Sequence, residues 1–255
     1  MTRSINPSLP EEDTLKKATK IISSTSIAFI LAACGGGSDG PHETVSAESC
    51  FDIATYSPGS AIQQKYEDTR SSPPGRSLSI SIASTNATFN GKSDLLAYEE
   101  MRSPTEYLPM GFGSSLQTSY LSPITEKELT THGKESEFTA AQLKSFEKVI
   151  YTPAWTDKKF KLKQGESLKY SIAGNSTTSS ISSPIPVSKD ISTEIEVVFE
   201  GKNAVAIGSR SVTACRFNYS THREWIYKGI LIKMDDGTGK TILTTEELTR
   251  NGQPY

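Results

Sequence analysis

Of all residue pairs in this chain, His222 and Glu224 come closest in type and spacing to a catalytic pair. Two positions apart on a β-strand they would share one face, where a carboxylate can orient an imidazole as general base. Tyr219 and Ser220 offer hydroxyl groups beside them, but no G-x-S-x-G elbow accompanies the serine. Polar residues on the solvated face of a strand explain the group as well as catalysis does, so no catalytic residue is assigned and the chain is read as non-enzymatic. Gly237-Thr238-Gly239-Lys240-Thr241 invites comparison with a phosphate loop. That loop needs a glycine five positions before Gly239, where Met234 stands, and the flanking pattern is that of a hairpin.

The carboxylate pairs Glu99-Glu100, Asp235-Asp236 and Glu246-Glu247 are weak candidates, because neighbours on a strand point to opposite faces. Asp235-Asp236 falls in turn-like sequence, with too few oxygen ligands nearby for a calcium loop. With 3 histidines, widely scattered, and no CxxC, neither a metal nor a cofactor is expected. Trp155, Trp225 and Tyr227 could line a groove for a sugar or a lipid, although aromatic residues more often belong to the core. A net charge of -2 predicts no nucleic-acid partner.

The elements that must hold these residues read as strands. Ser77 to Ala87 alternates Leu78, Ile80 and Ile82 with Ser79, Ser81 and Ala83, the period of a half-buried strand. Glu194 to Phe199 and Ala204 to Ile207 flank Glu200-Gly201-Lys202-Asn203, which reads as a hairpin turn. Ile226 to Met234 puts Ile226, Ile230, Ile232 and Met234 on one face of a strand that turns back at Asp235 to Gly239 into Thr241-Ile242-Leu243. One helix is predicted, with Thr139 and Gln142 as a capping box followed by Leu143, Phe146 and Ile150; a strand ending at Val149-Ile150-Tyr151 is its rival. Ser171 to Asp190, rich in Ser, Thr and Pro, reads as a long surface loop. The echo of Phe89-Asn90-Gly91-Lys92-Ser93 in Phe199-Glu200-Gly201-Lys202-Asn203 leaves open two related β halves, about 49–135 and 136–255. The predicted fold is mainly β: antiparallel sheet built from hairpins, a curved sheet or a sandwich, with at most one or two short helices.

The N-terminus carries an address. Lys16, Lys17 and Lys20 precede the apolar run Ile21 to Leu31, which is too short to span a bilayer, and the run ends at Leu31-Ala32-Ala33-Cys34. These four residues resemble the lipobox of bacterial lipoproteins. The resemblance implies a signal peptide over 1–33, cleavage before Cys34, a thioether-linked diacylglycerol on its sulfur and acylation of its new amino group. Two or more acyl chains give stable anchoring where one does not. A short helix leading to a buried cysteine is the competing reading. The glycine-rich Gly35-Gly36-Gly37-Ser38-Asp39-Gly40 favours the anchor, as the start of a tether over 34–48 before a mature domain at 49–255. Gly35 in place of an aspartate implies, in such lipoproteins, release to the outer membrane.

In an oxidising compartment the two remaining cysteines, Cys50 and Cys215, are expected to form a disulfide, against the alternative of two unpaired small hydrophobes. Cys50-Phe51, Tyr56-Ser57-Pro58-Gly59, Thr88 to Ser93, Ala214-Cys215-Arg216-Phe217 and Trp225 to Lys233 resemble phrases in uncharacterised proteobacterial lipoproteins. That likeness implies a β-rich, disulfide-stapled domain on a lipid tether and no activity. The resulting expectation is an outer-membrane lipoprotein, on either membrane face, with a non-enzymatic binding or structural role toward an envelope protein or the cell wall. A carrier of an apolar ligand and a periplasmic hydrolase are the alternatives.

Overall fold

The computed structural model describes residues 45–69, 75–105, 113–140 and 143–255. The signal peptide expected over 1–33, the expected lipidation site Cys34 and most of the tether expected over 34–48 lie outside these residues. Along the chain run β1 (Ala61–Asp68), β2 (Gly75–Phe89), β3 (Lys92–Pro104), β4 (Ser114–Leu121), β5 (Leu129–Ala140), β6 (Leu143–Asp157) and β7 (Ser167–Ser180). They continue as β8 (Val187–Ile207), β9 (Arg210–Tyr219), β10 (His222–Tyr227), β11 (Ile230–Asp235), β12 (Thr241–Arg250) and the short β13 (Gln253–Pro254). Each strand pairs antiparallel with the next, and β12 pairs with β1, so β1 to β12 close into an up-and-down barrel. Closure pairs β1 with β12, the two strands that would be the edges of an open sheet. The helical segments among the described residues are three 3-10 turns, Ala47–Cys50, Ile53–Tyr56 and Lys159–Lys161.

The expectation of a curved antiparallel sheet therefore holds, while several local expectations do not. The helix predicted from Thr139 onward is the β5–β6 hairpin. Leu143 and Phe146, which a helix would have buried, are 64% and 41% exposed, and β6 finds backbone partners in both β5 and β7. The predicted loop over Ser171 to Asp190 is mostly strand. β7 and β8 pair from Ser167↔Val198 to Thr178↔Val187, because threonine and serine suit a sheet with polar surroundings on both faces. Glu200 to Asn203 is no turn: β8 runs straight through it with a bulge between Phe199 and Gly201, where Gly201 takes φ +113. The chain reverses instead at Gly208. Positions 135 and 136 are neighbours within β5, and one sheet continues across them.

The strand expected over Ile226 to Met234 is broken by a turn at Lys228-Gly229, both with positive φ. The further reversal, after Asp235, is present, with Met234↔Leu243 paired across it. Asp236 builds that turn by accepting from the amides of Thr238 and Lys240 and from the Thr238 hydroxyl. The chain beyond Lys240 is strand and not the helix that a phosphate loop would need. Ile230 (9% exposed) and Ile232 (0%) belong to a cluster with Ile62, Val205, Trp225 and Leu248. Ile230→Asp should therefore cost several kcal/mol, since it buries an unpaired charge, while Lys240→Ala should stay within about 0.5 kcal/mol. Urea melts of the two variants giving the reverse ranking would contradict this packing.

The larger cluster fills one end of the barrel. Phe199, Phe217 and Val197, all 0% exposed, meet Leu96, Leu121 and Ile226 from other strands. Between them sit Cys50, Phe51 and Tyr56 of the N-terminal segment and Phe160 of the third 3-10 turn. The segment is hydrogen-bonded to the barrel by Ala47 N–H to the Leu162 carbonyl (2.9 Å) and by the Thr55 hydroxyl to the Lys228 carbonyl (2.7 Å). Cys50 and Cys215 are joined as a disulfide, with Cα atoms 5.9 Å apart. Beyond this plug the interior mixes polar and apolar groups. On β2 it is Ser79 (2% exposed) and Ser81 (6%) that are buried there, while Ile82 is 45% exposed.

Candidate functional site

The wall of the barrel has a step. β8 pairs with β7 as far as Val187 but with β9 only as far as Val197. Among the described residues, the stretch from Val187 to Glu196 thus has a partner on one side only, beyond the tight Ser220-Thr221 turn between β9 and β10. At this step lies a cavity of about 530 Å3, lined by Trp155, Asp157, Lys159, Tyr170, Glu194, Glu196, Tyr219, His222 and Glu224, among others.

Local structure explains how each group gets there. The Asp157 carboxylate accepts from the Lys159 amide (3.0 Å), a side-chain turn that ends β6 and starts the 3-10 turn Lys159–Lys161. Phe160 then inserts into the plug, 4.9 Å from Phe51 and 5.8 Å from Phe217 between ring centres. Anchored by that ring, Lys159 directs its ammonium into the polar interior. Its Nζ lies 3.3 Å from Asp157 Oδ2 and 3.8 Å from Glu224 Oε2, and donates to the Tyr219 hydroxyl at 3.2 Å. The Tyr170 hydroxyl donates to Asp157 Oδ1 at 3.1 Å. On β10, His222 and Glu224 do share a face, with Nε2 3.2 Å from Oε1, and the imidazole stacks on Tyr219 at 4.7 Å. The Trp155 ring stands at 88° to that of Tyr170, 5.8 Å away. Its Nε1 is buried and has no hydrogen-bond partner among the described residues.

The electrostatics follow from this packing. Burial alone would lower the Lys159 pKa, but Asp157, Tyr219 and Glu224 together hold it well above the ordinary lysine value. For Glu224 burial pushes upward, yet the His222 hydrogen bond and the Lys159 charge keep the carboxyl below its usual range. Tyr219 is pushed up to about 12, first by burial, against the pull of Lys159. At neutral pH the site therefore holds a fixed ammonium, ionised Glu224 and neutral phenols.

A second interior cavity, of about 280 Å3, lies between β1, β2, β3 and β11. Its charges are matched internally: Arg102 donates to both oxygens of Glu100 at 2.9 Å, and the Gln64 amide donates to the Leu231 carbonyl and to Thr245. Its polar groups read as a satisfied structural network.

Of the residues singled out from sequence, Trp155, Tyr219, Ser220, His222 and Glu224 come together here. Trp225 does not: it is 7% exposed within the core, under Lys233 at 4.6 Å. Tyr227 packs instead near Tyr255, 6.3 Å away. The carboxylate pairs split as expected of strand neighbours. Glu100 binds Arg102 and Ser79, whereas Glu99 is exposed. Glu246 pairs with Arg76 and Glu247 with Lys65, and Asp235 and Asp236 serve the β11–β12 turn. Asp157, Lys159 and Tyr170 were not anticipated, since more than fifty residues separate them from β10 and no local spacing links the two groups. No group of three metal-ligating side chains occurs among the described residues. Comparisons with protein-family models, curated proteins and solved structures find no match for this chain.

Proposed function

We propose that this chain is a lipid-anchored envelope protein, held at the outer membrane through Cys34, whose barrel has a non-enzymatic binding role for a small polar ligand. The binding reading rests on one observation. A cavity of about 530 Å3 gathers aromatic rings, carboxylates and an ammonium, the mixture of apolar walls and a few convergent polar groups that marks ligand sites. The lining favours a polar ligand over the apolar one of a lipid carrier, because an apolar molecule would leave buried charge facing it. The anchor rests on Leu31-Ala32-Ala33-Cys34 and the glycines after it.

Native mass spectrometry of the protein extracted from the envelope of a double-membraned bacterium tests both parts. The intact chain should begin at Cys34 and carry a covalent lipid increment that Cys34→Ser abolishes. It should also carry a noncovalent small-molecule increment that Trp155→Ala removes. An unprocessed, lipid-free chain would end the anchor reading. A lipidated chain with no small-molecule increment under gentle desolvation would end the binding reading.

A further inference from the structure

The unpaired edge of β8 can be followed group by group. Phe199 donates its amide to the Glu166 carbonyl (3.0 Å) and accepts from the Gly165 amide (2.9 Å), so its backbone groups point toward β7. Backbone groups alternate in direction along a strand, and no bulge interrupts the β7–β8 pairing from Ser167↔Val198 to Thr178↔Val187. The amides and carbonyls of Ser188, Asp190, Ser192 and Glu194 therefore point the other way, where β9 does not reach. All four residues are exposed. An edge of this length is a template for one more strand.

Independently of the binding role, we infer that the added strand is the same edge of a second copy, paired antiparallel about a two-fold axis at Ile191. Such pairing sets one residue opposite itself and every other residue opposite the position equally far beyond the axis. Charge selects the register, because like charges directly opposite are destabilising. An axis at Lys189, Asp190 or Glu194 sets that residue against its own charge. An axis at Ser192 sets Asp190 against Glu194 of the second copy, and one at Thr193 sets it against Glu196. With the axis at Ile191, Asp190 faces Ser192, Ser188 faces Glu194 and Lys189 faces Thr193, so no charge directly opposes another. The apolar residues meet in that same register, Ile191 against itself and Val187 against Ile195. These residues continue the face of β8 that holds Val197 and Phe199, and Val187 is 65% exposed in the single chain. Hydrogen bonding agrees: the Asp190–Ser192 and Ser188–Glu194 pairs, each formed twice, give about eight N–H···O bonds. Pro186, which has no N–H, ends the run opposite Glu196. One strand from each copy makes a small interface, so the association is weak and concentration-dependent.

The register is directly testable. At the axis the two Ile191 Cα atoms are about 4.5 Å apart, within the about 7 Å reach of a disulfide. The two Thr193 Cα atoms, offset by four positions along the strands, are on the order of 13 Å apart. Oxidation of the purified full-length chain by copper phenanthroline in air should give at least about tenfold more reducible dimer with Ile191→Cys than with Thr193→Cys. Sedimentation of the wild type should shift from monomer toward dimer mass between about 10 and 500 µM. Ser192→Pro removes an N–H that β7 does not use and should stay monomeric with an unchanged thermal melt. Ser192→Glu, which faces Asp190 of the second copy, should stay monomeric as well without altering the backbone. A wild type monomeric over the whole range, equal crosslinking at 191 and 193, or dimerisation of Ser192→Glu equal to that of wild type overturns the pairing. So does oxidation of intact cells that joins Ile191→Cys to a different polypeptide and not to itself.

Discussion

Lys159→Met should destabilise the protein by about 3–5 kcal/mol, the usual cost of removing one partner from a buried ionic group. The lysine side chain is 13% exposed, and its removal leaves Asp157 at 7% and Glu224 at 18% without their cation. Methionine is close in volume, so the loss reports charge more than a cavity. The pH dependence separates the two. In the wild type Glu224 sits below its unfolded value of 4.5. Its contribution is thus complete above pH 4.5 and lost as pH falls through the lower folded value. The raised Lys159 pKa works at the other end: its contribution is complete below 10.5 and lost only as pH climbs through the folded value. Wild-type stability should therefore fall on acidification below 4.5. In Lys159→Met the stranded carboxylates should be pushed upward in pKa, so that stability rises as pH is lowered from 7 toward 5. Urea unfolding at pH 7 and pH 5 measures both, with Asp157→Asn added to Lys159→Met as a rescue. A loss under 1 kcal/mol at pH 7, or no rescue and no pH inversion, would show that Lys159 is not holding this cluster together.

Removing the disulfide should cost a comparable 2–5 kcal/mol. Cys50 and Cys215 are separated by 165 residues, and chain-entropy reasoning puts a loop of that length near 5 kcal/mol as an upper figure. The bond also fastens the segment from Ala47 to Tyr56 to β9, both sulfurs lying in the plug at 2% and 0% exposure. A paired Cys50→Ala/Cys215→Ala variant keeps the small apolar volume, so the loss measures the constraint and not the packing. Without it the segment still has its hydrogen bonds to Leu162 and Lys228. It should then open locally before the barrel does, visible as faster amide exchange at Ala47 and Phe51 than at Phe217. Indistinguishable denaturation midpoints for wild type and variant would show that the plug stands without its staple.

The sequence by itself determined the class of structure. Period-2 alternation and turn residues such as Asn90-Gly91 and Asp236 make antiparallel hairpins, because these signals act between near neighbours. The two cysteines of the domain, an even pair, likewise picked out the bonded partners. What alternation cannot say is which face looks inward. On β2 the alternation is real, yet Ser79 and Ser81 are buried and Ile82 is out in solvent. The facing is decided by what the other strands bring to the same space, here Gln64, Glu100 and Arg102. Helical spacing at Leu143 and Phe146 misled for the same reason: backbone partners in β5 and β7, remote or hairpin-linked, outweigh a local propensity.

The candidate site shows the division most plainly. His222 and Glu224 could be paired from their spacing, since strand geometry fixes it. Asp157, Lys159 and Tyr170 could not, because their approach to β10 depends on barrel closure, on Phe160 seating in the plug and on β8 outrunning β9. Each of these is a long-range event, set by register and packing between segments that the chain order keeps apart.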